Sequence, residues 1–192
     1  LKKEDFKKEF FFNLDVGFSE KISLFQLKDH PTPEQMFNDK YPFFTGSSET
    51  MKSHFKQYSD FIKKSYIKNN SKIIEIGSND GTFLSNFKNS NLQYVGFEPS
   101  GNVAKIANKN GINTLNNFFS TGSLDHVKDF LKQTDVIFAA NVICHVPNLK
   151  NLIETIDSLL NKNGKFIFEE PYMGSMFKKT SYDQIYDEHI YM

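Results

Sequence analysis

Residues 73–83 read IIEIGSNDGTF: an apolar run carrying one acid, Glu75, breaks into a loop opened by Gly77 and closed by Gly81. A glycine loop of this kind, placed directly after an apolar run, commonly cradles a nucleotide-like ligand. A dinucleotide fingerprint needs glycines at its first, third and sixth positions. Counted from Gly77, the third and sixth positions are Asn79 and Thr82, so that fingerprint fails. The ligand has to be read from the residues around the loop.

From Ser71 onward, strand and helix patterns alternate. KIIEI (72–76), QYVGF (93–97), INTL (112–115), DVIFAA (135–140) and KFIFEE (165–170) read as strands. GTFLSNFKN, NVAKIANKN, SLDHVKDFLKQ and LKNLIETIDSLLNKNG read as the helices between them, the last ended by Gly164 and the first turning Phe83, Leu84 and Phe87 inward. Such βαβ units predict an α/β fold, a Rossmann-like and mostly parallel sheet with helices on both faces. Upstream, Met51, Phe55, Tyr58, Ile62 and Tyr66 recur at helical spacing and predict a helix packed on that sheet. LDVGFSEKISLFQL (14–27) reads as a strand pair turning at Ser19 to Lys21, and HPTP (30–33) as a boundary. The division expected is an N-terminal extension (1–33), a helical segment (34–70), the α/β core (71–175) and a tail (176–192).

Composition excludes several partners. Net charge is zero over 192 residues, which argues against a phosphate-tracking surface and hence against nucleic acid. All 23 basic residues are Lys, so any phosphate must be held by Lys, main-chain N–H groups or hydroxyls. Cys144 is the single cysteine, which leaves no disulfide framework and no thiolate zinc cluster within the chain. No secretory leader pattern is read and no apolar stretch reaches bilayer length, so no membrane partner and a cytoplasmic location are expected.

Three strand ends carry polar groups: the loop with Gly77, Ser78, Asn79 and Gly81; Glu98 at the end of QYVGF; and Asn141 after DVIFAA. A carboxylate at Glu98 can accept both hydroxyl protons of an adenosine ribose. The order Glu75-x-Gly77-x-x-x-Gly81, then Glu98, resembles the class I S-adenosylmethionine-dependent methyltransferases. Their cofactor has a ribose and a methionine end but no pyrophosphate, in keeping with the missing dinucleotide glycines.

EIGSNDGTF, GFEPSGNVAKIA, ANVICHVPNL and FEEPYM further resemble, in the same order, the sugar C-methyltransferases, which methylate a carbon of a nucleotide-linked deoxyketosugar. YPFFTGSSETMKSH is similar to the segment that helps hold the cofactor in that family, and YDQIYDEH (182–189) to its catalytic motif, usually Tyr-His-Glu-His. The resemblance implies S-adenosyl-L-methionine as cofactor, bound by Glu75, Gly77, Ser78, Asn79, Gly81, Glu98, Pro99, Ser100, Asn117, Asn141 and Ser48. It implies His189 as a base tuned by the adjacent Glu188, Tyr186 as a donor to an oxyanion, and His145 either in the same cleft or capping a strand–helix turn. Asp187 stands where the family usually has His and adds negative charge beside Glu188.

The chain departs from the family twice. Ser19 and Ile22 stand where a second zinc-binding cysteine pair would be, so no metal is expected. The family continues with a further α/β domain, whereas this sequence stops three residues after His189, so a missing C-terminal domain or partner chain is expected. With little to hold the tail, the 192-residue chain is expected to bind cofactor but to methylate a nucleotide sugar slowly or not at all. Two alternatives stay open: methylation of oxygen or nitrogen on another small molecule, and an inactive cofactor-binding module.

Overall fold

The computed structural model describes residues 11–88, 90–186 and 188–192. At its centre lies β3 (Lys72–Ile76), flanked by β4 (Gln93–Phe97) and β6 (Thr134–Ala140), with β5 (Thr114–Leu115) and β7 (Leu160–Glu169) outermost. All four pairings in this five-stranded sheet are parallel, in the order β5-β4-β3-β6-β7. The chain runs outward from β3 to β5 and then crosses back to β6. This places the topological switch point at the carboxyl ends of β3 and β6, where open α/β sheets bind ligands.

The apolar run of β3 is buried on both faces. Ile73 packs with Phe55, Ile62, Phe83, Leu84, Phe87 and Phe138 on one side. Ile74 and Ile76 pack with Phe97, Ile137, Leu152, Ile156 and Leu159 on the other. Helix α2 (Glu49–Tyr66) covers the first face, and α4 (Leu149–Leu159) the second. Each large aliphatic side chain buried here stabilises the fold by about 1.5–3 kcal/mol relative to exposure. Ser48 caps α2 by accepting the Met51 N–H, and Lys63 and Lys64 in its last turn oppose the helix dipole. Of the expected stripe, Tyr66 alone turns outward, at 37% exposed.

Several local expectations are corrected. Two predicted helices are 3₁₀ segments: Leu84–Phe87 and Thr121–Phe130, the latter kinked at Val127. In the first, the side chains of Ser85 and Asn86 bond to the carbonyls of Thr82 and Phe83 and so compete with the α-helical ladder. Helix α4 stops at Leu159 rather than at Gly164, because Leu160 already pairs with Thr134 before a register shift carries the strand on to Lys165. Between α2 and the N-terminus, Pro33 opens a one-turn helix, α1 (Pro33–Met36). Helix α3 (Gly101–Lys109) ends just before Gly111, as expected.

The tail is held, contrary to the expectation of a loose end. An antiparallel hairpin, β1 (Val16–Ser19) and β2 (Leu24–Leu27), turns at residues 20–23. The Leu27 N–H donates to the Ile190 carbonyl at 2.9 Å, and the Met192 N–H to the Phe25 carbonyl at 3.1 Å. Tyr191 donates its N–H to Cys144 O at 3.2 Å and its hydroxyl to Pro147 O at 3.0 Å. Ile190 and Leu27 are buried together with the seam. After β7, helix α5 (Met173–Lys179) leads into this tail. Residues 1–10 of the N-terminal extension, and Asp187 with its extra charge, lie outside the described residues. Among the described residues no helix is long and apolar enough to cross a membrane.

Candidate active site

A cleft of about 720 Å³ opens at the switch point, within the size range of small-molecule sites. One wall is the loop after β3. Gly77 has φ +64°, and a Cβ there would stand 2.4 Å from Val142 Cγ2, so the turn requires glycine. Gly81 has φ +81° and closes the loop against Ile112. A strap from the segment before α2 crosses this loop: the Thr45 N–H donates to Asn79 Oδ1 and the Gly46 N–H to Asp80 Oδ2, both at 2.8 Å. Asn79 Nδ2 returns a bond to Phe43 O at 3.2 Å.

Glu98 ends β4 at the base of the cleft. Its Oε2 accepts the Asn79 N–H at 3.0 Å and its Oε1 the Ser100 N–H at 2.7 Å. Each oxygen keeps a second lone-pair direction. Burial raises the Glu98 pKa, and the Ser100 and Asn79 donors oppose that rise. Asn141, at φ +53°, turns the chain out of β6 and donates its N–H to Glu169 O.

The tail lines the cleft as well. His189 is 2% exposed, and its Nδ1 donates to the Gln184 carbonyl at 2.9 Å. A carbonyl only accepts, so Nε2 holds the lone pair, and it receives the Tyr186 hydroxyl at 2.6 Å. Burial, with the charge of His145 adding to it, lowers the His189 pKa to about 4, so the ring is neutral at pH 7. The two imidazoles lie 5.0 Å apart, and His145 Nδ1 donates to Glu188 O at 2.6 Å. The Glu188 carboxylate meets Tyr41, whose hydroxyl lies 3.4 Å from Glu188 Oε2. Burial, with Glu188 and Glu98 nearby, raises the Tyr41 pKa.

Of the residues singled out in the sequence, Gly77, Asn79, Glu98, Pro99 and Asn141 reach the cleft from the sheet side. Tyr186, Glu188 and His189 reach it from the tail, and His145 from the turn after β6. The other six stand back from it. Ser48 serves as a helix cap, Gly81 packs on Ile112, and Ser78 and Ser100 are buried beneath the loops. Asn117 donates its main-chain N–H to Leu115 O, and the following Phe118 and Phe119 line the cleft instead.

Glu75 lies wholly inside the fold. Burial raises its pKa well above the carboxylate range, Asp80 and Glu98 add to that, and a bond from the Leu84 N–H works the other way. The fold thus favours the protonated acid, so this contribution to stability is full below the ordinary glutamate range and is lost as pH rises through the raised folded value. Glu75→Gln, an isostere of the acid form, is expected to melt above the parent near pH 8, with the gap closing towards about pH 5. A variant that melts lower throughout would show that the carboxylate is ionised in the fold.

Sequence reading passed over Tyr41, Thr45 and Glu170. Tyr41 opens the YPFF segment already noted, but nothing local places it against residue 188. Glu170 is the second acid of FEEPYM, and its carboxylate accepts the N–H groups of Val142, Ile143 and Cys144 at 2.9, 2.7 and 3.3 Å. It thereby fixes the turn that presents His145.

A buried strand-end acid and a glycine loop at the switch point thus share one cleft with the Tyr186–His189 pair, in a fold shared with S-adenosylmethionine-dependent methyltransferases. Residues 51–192 match the model of the methyltransferase-domain family, and the chain belongs to it. The C-methyltransferase NovU of Streptomyces niveus is 24% identical over 182 residues, which span 94% of this chain and 43% of NovU. The chain therefore spans less than half the length of this curated relative. An S-adenosylmethionine-dependent methyltransferase from Archaeoglobus fulgidus shares the fold at TM-score 0.57 and 18% identity, over 73% of this chain and 60% of that one. The CurJ carbon methyltransferase does so at TM-score 0.53 and 15% identity, over 66% and 37%.

Proposed function

We propose that this protein transfers a methyl group from S-adenosylmethionine to a carbon next to a carbonyl, in a nucleotide-linked sugar. The observation that carries the reading is the Tyr186–His189 pair, which lines the same cleft as Glu98 and the Gly77 loop. The site fits the cofactor: Glu98 faces the cleft with lone pairs to spare, and the Gly77 turn lets main chain approach a ligand closely. When bound, S-adenosylmethionine supplies an activated methyl group for in-line displacement.

The residues of the chain supply the proton chemistry. His189 Nε2 is an unprotonated base whose lone pair is engaged by the Tyr186 hydroxyl. Turning that hydroxyl onto the acceptor's carbonyl oxygen frees Nε2 to take the neighbouring C–H proton. One 2.6 Å bond therefore links the base and the oxyanion donor, and breaking it readies both. The cleft suits an uncharged ring. Among the described residues lining it there is no Lys, while Glu34, Glu98 and Glu188 are present. NovU, named a C-methyltransferase, supports transfer to carbon, and the motif order described above supports the sugar.

The test is to incubate the protein with nucleotide-linked ketosugars in D₂O, with and without S-adenosylmethionine. Deuterium uptake beside the carbonyl, together with a C-methylated product, is the expected result. Methylation of a hydroxyl or amine without deuterium uptake would replace this reading with the oxygen or nitrogen alternative.

A further inference from the structure

We infer that Cys144, His145 and His189 form a site for a thiophilic divalent cation such as Zn²⁺. A ring nitrogen of each histidine and the Cys144 sulfur lie within 4.8 Å of one another. Zinc ligation at about 2.0–2.1 Å to nitrogen and 2.3 Å to sulfur puts donors roughly 3.3–3.6 Å apart, so donors 4.8 Å apart have to close by roughly 1.2–1.5 Å.

The surroundings of both rings match those of metal-ligating histidines. Such rings typically donate their second N–H to a carbonyl or carboxylate, which fixes the tautomer and aims the lone pair. His145 Nδ1 donates to Glu188 O, and His189 Nδ1 to Gln184 O. Each ring therefore offers Nε2. With no carboxylate among the donors, the set favours Zn²⁺ or Co²⁺ over Mg²⁺ or Ca²⁺. On binding, the buried Cys144 thiol gives its proton by way of the Glu170 carboxylate it bonds to, which passes it to solvent, and water takes the fourth position after the Tyr186 hydroxyl leaves His189 Nε2.

This site is unrelated to the zinc-binding cysteine pairs that the N-terminal segment lacks. Cys144 and His145 follow β6, and His189 joins them because the tail pairs with β2. The consequence for activity rests on the function proposed above: an ion on His189 Nε2 removes the base, so Zn²⁺ inhibits methyl transfer. Binding itself does not depend on that reading.

The experiment is Co²⁺ titration of chelator-treated protein, followed by absorption. Cys144 is the only cysteine of the chain, so thiolate-to-cobalt charge transfer can arise from it alone. Expected are that band together with tetrahedral d–d bands, saturating at one ion per chain, displaced by Zn²⁺ and not by Mg²⁺. Cys144→Ser should abolish the charge-transfer band. His145→Gln, which keeps the thiol, should weaken Co²⁺ binding by about 10-fold or more. The absence of a charge-transfer band from the parent protein would overturn the site, as would unchanged affinity in folded His145→Gln. Metal binding without inhibition would leave the site standing and contradict the role of His189 as base.

Discussion

Exchanging His189 for glutamine is expected to slow methyl transfer by about 10²- to 10⁴-fold, the contribution usual for a positioned general base. Affinity for S-adenosylmethionine should stay unchanged, because the ring of His189 bonds to Gln184 and Tyr186 and the cofactor is held by Glu98 and the Gly77 loop in the reading above. Tyr186→Phe keeps the ring and removes the hydroxyl bonded to Nε2. Its loss and that of His189→Gln should not add in the double variant, since the two groups act through one hydrogen bond. Single-turnover rates for the three variants, measured with melting temperatures, decide this. Independent, additive losses would separate the phenol from the base and undo the linked mechanism.

The second large effect belongs to Glu98. Glu98→Ala should weaken S-adenosylmethionine binding by about 1.5–3 kcal/mol, roughly 10- to 150-fold, the range for hydrogen bonds to a charged group. The carboxylate also holds the Asn79 and Ser100 N–H groups, so the alanine variant leaves two donors without their acceptor as well. Glu98→Gln separates the two effects, because its carbonyl can keep one N–H while its amide cannot accept a second hydroxyl proton. Calorimetry should place the glutamine variant between parent and alanine. Parental affinity in both variants would remove Glu98 from the site.

The sheet was legible because burial on two faces writes itself into β3, β4 and β6 as continuous apolar runs. The Gly77 turn and the Glu98 strand end were legible because few residue types satisfy a positive φ, or offer a strand-end carboxylate, at those points. Interactions made across the fold were not. The strap of Thr45 and Gly46 on Asn79 and Asp80, and the Tyr41–Glu188 contact, join residues 34 to 147 positions apart. Docking of the tail rests on main-chain bonds to β2, which any side chains could make. Helix ends failed where side chains compete for backbone groups, as at Ser85 and Asn86, or where a sheet register overrides helix propensity, as at Leu160. The acid–histidine motif lies on the cleft, and its contacts to residues far along the chain were not legible: Glu188 meets Tyr41, while Tyr186 engages His189.

The claim on which the rest depends is that the cleft at the ends of β3 and β6 is an S-adenosylmethionine site. Titrating the purified protein by calorimetry with S-adenosylmethionine, and separately with NADH, tests it most directly. Saturable binding of S-adenosylmethionine at one site per chain and no heat from NADH are the expected result. Saturable NADH binding with no response to S-adenosylmethionine would contradict it.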